Sequence, residues 1–205
     1  MSEAGTVHPD HLLTQARAGD RTSLGRLLEM FRGYLMVLAR CRIDFRLKSK
    51  VDPADLVQET FLEAARDFGQ FRGSTEQELM GWLRRILVTN FANLLRRYVG
   101  TQSRDPRLEV DLAAEFEHSS LVLDRGLLSP QSSPSQVASR REQAVLLAEA
   151  LEGLPPDYRE VLLLRNLQGR SFPEVALAMK RSVDSVEKLW TRALVRLRRL
   201  MGESA

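Results

Sequence analysis

Basic and amide side chains are the residues of this chain whose types and spacing could do chemistry. Residues 81–100 contain four arginines and no acidic residue, and residues 180–199 contain seven basic residues against two acidic ones. One side of the first stretch carries, at steps of four, four and three, Arg85, Thr89, Asn93 and Arg96. Arginine and asparagine bind phosphates and base edges. Two such helices predict two contacts with a polyanion, although either one alone is more typical of a solvated face.

A helix-turn-helix motif is the most specific pattern in the sequence. Ser171-Phe172-Pro173-Glu174 forms a capping box (S-x-x-E) before an apolar run, which predicts the start of a short helix. A tight turn with Val183, expected to be buried, leads to a second, basic helix. The residues predicted to face nucleic acid are Arg181, Ser185, Glu187, Lys188 and Arg192, the first and last of them suited to phosphates. A plain helical hairpin is the alternative interpretation.

Residues typical of catalytic or metal sites are few and scattered. His8, His11 and His118 form no cluster, and Cys41 occupies an apolar helical position, where cysteine is more often a core residue than a nucleophile. No phosphate-binding G-x-x-x-x-G-K pattern and no zinc-binding H-E-x-x-H pattern occurs. We therefore expect a protein that is not an enzyme and that has no cofactor and no metal site.

Helical periodicity dominates the chain and predicts an all-α fold. Apolar residues at three- and four-residue steps from Leu24 to Leu38 predict an amphipathic helix. Asp52-Pro53 predicts a sharp helix start, because aspartate caps a helix and proline is favoured at its first position. A loop is predicted at residues 71–75, followed by a long helix from about Glu76 to Val99.

An acidic segment divides the chain. Residues 105–124 contain six acidic residues and a single arginine, and the sequence SPQSSPSQ follows at residues 129–136. This composition predicts an acidic, flexible linker at residues 101–136, between small helical domains at residues 8–100 and 137–202. Electrostatics further predicts that the linker lies against the basic helices and masks them.

Bulk composition argues against membrane insertion. No apolar run approaches the ~18 residues that a spanning helix requires, and the first ten residues lack the basic start and apolar stretch of a signal peptide. The single cysteine permits no intramolecular disulfide, which fits a reducing cytoplasm. We expect a cytoplasmic protein.

Three stretches in order resemble the group IV, or extracytoplasmic-function (ECF), sigma factors of bacterial RNA polymerase, within the sigma-70 family. Asp52–Phe61 is similar to the family's region 2.2, Trp82–Arg97 to regions 2.3 and 2.4, and Leu154–Ala193 to region 4. They cover both predicted domains, with the spacing that the family has. The resemblance implies a region 2 bundle and a region 4 helix-turn-helix.

A partner surface for the polymerase is the first implication of the resemblance. Region 2.2 of the family binds the clamp helices of the largest polymerase subunit, and the matching residues here are Asp55, Gln58, Glu59 and Glu63. Such an acidic strip can pair with a basic partner. From the residues alone, the strip is also typical of a solvated helix face whose acids are favoured by the helix dipole.

Promoter DNA is the second implied partner. Regions 2.4 and 4 of the family contact the −10 and −35 promoter elements, and the loop matching Phe71–Gln77 captures a base flipped out of the duplex. The region 2 residues that the resemblance assigns to DNA are Arg72, Trp82, Arg85, Thr89, Asn93, Arg96 and Arg97. Trp82 is equally suited to stacking on an exposed base and to packing in the core. Departures at Asn93, Glu187 and Trp190 leave the preferred −35 sequence open.

The resemblance predicts a sigma factor that binds core RNA polymerase and directs promoter recognition and melting. It also leaves room for an anti-sigma partner. The alternatives are a stand-alone helix-turn-helix regulator, which would not explain the acidic strip, and an anti-sigma-like interaction protein, which would not explain the two basic helices.

Overall fold

The protein is described by a computed structural model that covers residues 9–43, 51–99, 106–125 and 137–203. Within these ranges the chain contains helices and no strand, so the predicted all-α class is confirmed. In chain order the helices are α1 (Pro9–Arg17), α2 (Arg21–Met30), α3 (Arg32–Arg42), α4 (Pro53–Asp67), α5 (Glu76–Val99), α6 (Pro106–Arg125), α7 (Val137–Glu152), α8 (Pro156–Leu162), α9 (Phe172–Met179) and α10 (Val183–Glu203). A 3-10 turn at Phe68–Gln70 follows α4, and a π-helical segment at Leu163–Leu167 follows α8.

Local caps set several helix starts. Asp52 Oδ1 accepts a hydrogen bond from the backbone N–H of Ala54 at 2.8 Å, and Pro53 is the first residue of α4, as the sequence predicted. Asp20 Oδ1 caps α2 in the same way, through Thr22 N at 2.9 Å. These side chains satisfy backbone donors that have no partner within the helix.

The amphipathic helix predicted from Leu24 to Leu38 is two helices. The first ends at Met30, and the second begins at Arg32. Phe31 between them has φ −93° and ψ 0°, and its N–H is bonded to Leu28 O at 3.0 Å. Its ring is fully buried, so the break lets both helices turn their apolar faces around one phenylalanine. Periodicity did not predict this break, because the apolar spacing continues through it.

The first five helices form a bundle. Helix α1 packs on α2, α4 packs on α5, and α3 packs on α4. Side chains with no exposed surface fill its core: Leu27, Leu35, Leu38, Leu56, Leu79, Leu83 and Leu87. The bundle is the rigid support on which the outward faces of α4 and α5 are held.

Helix α6 occupies most of the segment predicted to be a flexible linker. The interpretation of residues 106–125 as flexible chain is wrong, because they form a helix packed on the bundle. Phe116, Ser119, Ser120 and Leu123 are fully buried on one face, at helical spacing. Because acidic residues dominate the composition of residues 105–124, this buried face was not recognised from the sequence. Residues 101–105 and 126–136, with the SPQSSPSQ stretch, lie outside the described residues, and the predicted domain boundaries stay a prediction.

Helices α6 and α7 join the two halves of the chain. Helix α7 packs on both α3 and α6, and α6 packs on α3 and α5. Arg40 Nε donates to Glu152 Oε1 at 3.0 Å, and Gln168 Nε2 donates to the backbone oxygen of Cys41 at 2.6 Å. A Cβ placed on Gly33 would lie 3.4 Å from Glu149 Cγ, so α3 and α7 approach closely. The described halves are therefore closed on each other.

Phe116→Ala is expected to lower the free energy of unfolding by about 3 kcal/mol, because removing a fully buried ring leaves a cavity. Leu121→Ala is the matched control: it lies on the same helix but is 41% exposed, and it should cost less than about 1 kcal/mol. Urea denaturation followed by circular dichroism measures both. Equal losses for the two variants would contradict the packing of α6.

Candidate nucleic-acid and protein interfaces

The predicted helix-turn-helix is formed by α9 and α10. Glu174 Oε2 accepts hydrogen bonds from Ser171 N at 2.7 Å and from Ser171 Oγ at 2.6 Å, so the capping box is confirmed. The Ser171 hydroxyl is the main cause that lowers the pKa of Glu174. Lys180 ends α9 in the left-handed region (φ 54°, ψ 45°), and Arg181 N bonds to Ala176 O at 3.0 Å. Lys180 thus takes the place of the glycine that is usual at such a helix end.

The outward face of the second helix forms a shallow groove. The groove has a volume of about 220 Å³ and is lined by Arg181, Asp184, Ser185, Lys188, Leu189 and Arg192. Lys188 Nζ pairs with Asp184 at 2.8 Å, and Arg181 Nη2 pairs with Asp157 Oδ2 at 2.5 Å. The structure therefore brings four of the five predicted residues together, while Glu187 is exposed on α10 outside this lining.

Two details of this motif differ from expectation. Val183 is 39% exposed, so the prediction that the turn valine is buried is wrong. Trp190, unusual for the family at this place, is half-buried: its Nε1 donates to Asn166 Oδ1 at 3.0 Å, and its ring meets the Phe172 ring edge to face at 5.5 Å. Trp190 therefore packs α10 against α9 and the π-helical segment. The sequence alone did not predict these contacts.

The predicted DNA row lies on the outer side of α5. Arg85, Thr89, Asn93 and Arg97 are exposed, whereas Leu83, Leu87 and Phe91 on the opposite side are buried. Arg96 Nη1 donates to Asn93 Oδ1 at 2.7 Å, which fixes the two side chains together. Donors and acceptors thus point outward from a helix whose other side is anchored in the core.

Arg84 is a basic residue of α5 that does not face outward. Its guanidinium pairs with Glu117 of α6 at 2.6 Å and donates to Ser120 Oγ at 2.5 Å. Arg42 of α3 pairs with Glu115 at 2.7 Å. The acidic residues whose contacts are described thus neutralise arginines beneath α6, which differs from the predicted masking of the outward-facing basic residues.

The loop before α5 is organised by one carboxylate. Glu78 Oε2 accepts hydrogen bonds from Ser74 N at 2.9 Å, Thr75 N at 3.1 Å and Thr75 Oγ1 at 2.9 Å. These bonds, led by the one from Ser74 N, lower the pKa of Glu78. A Cβ at Gly73 would overlap the Phe71 ring and Glu78 Cβ, so only glycine fits there without a shift.

An aromatic cluster lies beside this loop. Trp82 is half-buried, and its ring lies 5.3 Å from that of Phe71 and 6.3 Å from that of Phe68. Core packing accounts for part of the Trp82 surface, and a second part stays open to solvent. Arg72 is exposed on the same loop.

The acidic strip lies on the outer face of α4. Asp55, Gln58 and Glu59 are exposed, and Glu63 is half-buried with a long contact of 3.9 Å to Arg66. Sequence reasoning missed Leu62, which is 66% exposed beside the strip. The sequence could have indicated it, because Leu62 follows Glu59 by three residues and therefore lies on the same face of the helix. The strip thus combines negative charge with an apolar contact point.

Metal-ligating side chains and the cysteine are the remaining chemical groups in the described part of the chain. No three metal-ligating side chains come together there, and burial raises the pKa of the Cys41 thiol to about 12, which leaves it unreactive. None of the described helices is long and apolar enough to cross a bilayer.

Comparisons with known families match both halves of the chain. Residues 28–101 match the family described as Sigma-70 region 2, and residues 144–197 match Sigma-70, region 4. The ECF RNA polymerase sigma-E factor of Escherichia coli (strain K12) is 33% identical over 144 residues, which cover 69% of this chain and 70% of the relative. That of Haemophilus influenzae is 28% identical over 183 residues, which cover 89% of each.

Solved structures give a weaker likeness. The structure of CnrH in complex with the cytosolic domain of CnrY covers 96% of this chain and 99% of that chain at 24% identity, with a TM-score of 0.35. The RsbN-BldN complex matches at 23% identity over 92% of this chain and 98% of that chain, with a TM-score of 0.33.

Two family regions in order on an all-α fold, each presenting an exposed basic face, define a sigma-70-type transcription factor. The chain belongs to the ECF sigma factors. It acts as an RNA polymerase sigma factor in promoter-specific transcription initiation, and members of this family are typically regulators without catalysis.

Gly73→Ala is expected to lower the free energy of unfolding by about 2 kcal/mol, because the added methyl group forces the Phe71 ring aside. In a Trp190→Phe background the fluorescence of Trp82 should change, since it packs on Phe71. Gly25→Ala, where a Cβ meets nothing within 4 Å, is the control and should leave the fluorescence unaltered. Identical fluorescence in both variants would contradict the loop geometry.

Proposed function

We propose that this sigma factor works through three separate surfaces: the acidic strip of α4 for core polymerase, α5 with its preceding loop for the −10 element, and α10 for the −35 element. The observation that carries the proposal is that motif residues of both family regions face solvent on helices whose other sides are anchored in the core. It acts without catalysis of its own, in the cytoplasm. An anti-sigma partner rests on the family resemblance alone.

The strip on α4 suits the clamp helices of the largest polymerase subunit. Asp55 and Glu59 are exposed and form no ion pair with another described residue, so they are available to a basic partner. The unpaired charges of Asp55 and Glu59 favour a basic protein partner. Leu62, which is 66% exposed beside them, would lie within the same interface.

Reversing both charges in Asp55→Lys/Glu59→Lys should weaken binding to core polymerase by at least tenfold, because like charges then oppose each other across the interface. Helicity should not change, since both side chains are exposed. Competition against labelled wild-type protein for core enzyme measures the affinity. Gln143→Lys, an exposed position on α7, controls for added positive charge and should bind normally. Wild-type affinity in the double variant would show that the strip does not bind core polymerase.

Binding of both promoter elements at once requires the two halves of the chain to separate. At ~3.4 Å per base pair, elements centred at −10 and −35 lie about 85 Å apart. A compact chain of this length is only about 40 Å across. The contacts of α7 with α3 and α6 hold the halves together, so they must separate for both elements to be bound at once.

Variants of the two DNA surfaces should fail in different ways. Lys188→Ala and Arg192→Ala should weaken recruitment to a duplex promoter and matter little on a pre-melted template, because they hold duplex DNA. Asn93→Ala and Arg96→Ala should permit recruitment but slow strand opening, because they hold bases that melting exposes. Each lost base contact should cost about 1–3 kcal/mol.

Footprinting reports recruitment, and a fluorescent base in the −10 element reports opening. Promoters for both assays come from a random library transcribed by core enzyme with this protein. Arg26→Ala, an exposed arginine on α2 away from both surfaces, is the control. The same defect from all four substitutions on both templates would favour a single-site helix-turn-helix regulator instead.

A further inference from the structure

An ion pair lies in the groove on the outward face of α10. Lys188 Nζ is 2.8 Å from Asp184 Oδ2, one helical turn away, and both residues line the groove. The Asp184 side chain is 73% exposed and the Lys188 side chain is 64% exposed, so both charged ends face solvent. An exposed pair of this kind adds little to the stability of a helix. Its position makes it a candidate for recognition rather than for folding.

Asp184 does not cap α10. The backbone N–H of Ser185 donates to Ser182 Oγ at 3.3 Å, so Ser182 takes the capping role at this helix start. In the described part of the chain, the Asp184 carboxylate accepts from Lys188 Nζ. Asp184 is the second residue of α10, and the first turn of the second helix is where a helix-turn-helix reaches base edges. An acceptor is therefore presented to the major groove.

The arginines of the groove are placed differently from this pair. Arg181 is held by Asp157, and Arg192, one turn beyond Lys188, has no ion pair or hydrogen bond among the described residues. An unpaired guanidinium suits a phosphate, whose attraction does not depend on the base sequence. The Asp184–Lys188 pair carries no net charge and adds little to that attraction. What it presents is one acceptor directly beside one donor.

A G·C base pair offers the complementary pattern in the major groove. Guanine presents the acceptors O6 and N7, and cytosine presents its N4 amino group as a donor. Because O6 and N4 are hydrogen-bonded to each other within the base pair, they lie about 2.9 Å apart. The Lys188 ammonium and the Asp184 carboxylate are 2.8 Å apart. A donor and an acceptor on the protein thus match an acceptor and a donor on the base pair.

An A·T pair suits the same two side chains less well. Its edge alternates acceptor, donor and acceptor before the thymine methyl group, so an ammonium finds two adjacent acceptors only on guanine. Phosphates repel a carboxylate, so the favourable partner for Asp184 on DNA is an amino group of a base. Lysine on guanine and aspartate on cytosine are the pairings that major-groove geometry favours.

We propose that Asp184 and Lys188 act as a unit that reads one G·C base pair of the −35 element. Lys188 donates to guanine O6 and N7, and Asp184 accepts from cytosine N4. The pair belongs to the −35 surface, so the assignment rests on the proposed function. Asp184 is thereby a specificity-determining residue, although the basic composition of α10 does not indicate it.

The test uses core polymerase loaded with the full chain and a promoter library in which only the −35 element is randomised. Bound duplexes are sequenced. With wild type, one position should show G·C enriched over A·T by about tenfold. Asp184→Ala and Lys188→Ala should each bring that enrichment close to one and leave the other positions unchanged. Because the residues act as a unit, Asp184→Ala/Lys188→Ala should lose no more selectivity than either single variant.

Exchanging the two side chains gives a result that a folding defect cannot imitate. Asp184→Lys/Lys188→Asp puts the donor where the acceptor was, so the favoured pair at that position should change from G·C to C·G. Arg192→Ala should lower binding of all sequences alike, since it holds a phosphate. The matched control is Glu29→Ala, which removes an exposed ion pair of Glu29 Oε1 with Arg32 Nε at 2.6 Å, in the first bundle. It should keep the wild-type preference at every position.

Three results would overturn the inference. Wild-type base preferences at every position in both Asp184→Ala and Lys188→Ala would show that the pair is only a solvated helix contact. A preference for A·T at the position that these variants affect would assign the pair to the wrong bases. If the wild-type enzyme shows no preference at any −35 position, the −35 function itself fails, and the inference fails with it.

Discussion

The burial of α6 against the first bundle is the contact on which the closed arrangement depends. Phe116 is fully enclosed, with its ring 5.8 Å from that of Phe91 and beneath the Arg42 guanidinium at 5.7 Å. Around it, Tyr34 Oη is hydrogen-bonded to Ser120 Oγ at 2.8 Å. A buried arginine is costly unless it is paired, and Glu115 and Glu117 provide those pairs. The acidity of the segment is therefore the condition that lets a helix lie on a basic surface.

The contact of α7 with the first half of the chain is suited to the opening that the proposed function requires. Its polar pairs, such as Arg40 with Glu152, regain much of their solvation when they separate, unlike a purely apolar core. The strip on α4 and the outer rows of α5 and α10 take no part in the contact, since they lie on solvent-facing sides. Partner surfaces are thus accessible in the closed chain, and only their simultaneous use on one promoter requires separation of the halves.

Local signals were readable from the sequence, whereas long-range ones were not. The starts of α4 at Asp52 and of α9 at Ser171 were predicted, because caps depend on residues within one helical turn. Helix α6 was missed because two of its buried residues are Ser119 and Ser120, which count as polar. Their partners include Tyr34 and Arg84, from remote parts of the chain. The break at Phe31 has the same origin, since tertiary packing overrides a continuous apolar period.

The difference between local and long-range signals also applies to the candidate site. Spacing along a helix predicted the row Arg85, Thr89 and Asn93, because one helix fixes which side chains share a face. It did not predict that neighbouring Arg84 lies under α6. Only the tertiary fold determines which element packs against a given face of a helix. Arg42 and Glu115, which pair at 2.7 Å, lie more than seventy positions apart, and no periodicity links them. Sequence therefore identifies the helices that carry a surface, while the tertiary fold decides which of their charges remain free to bind.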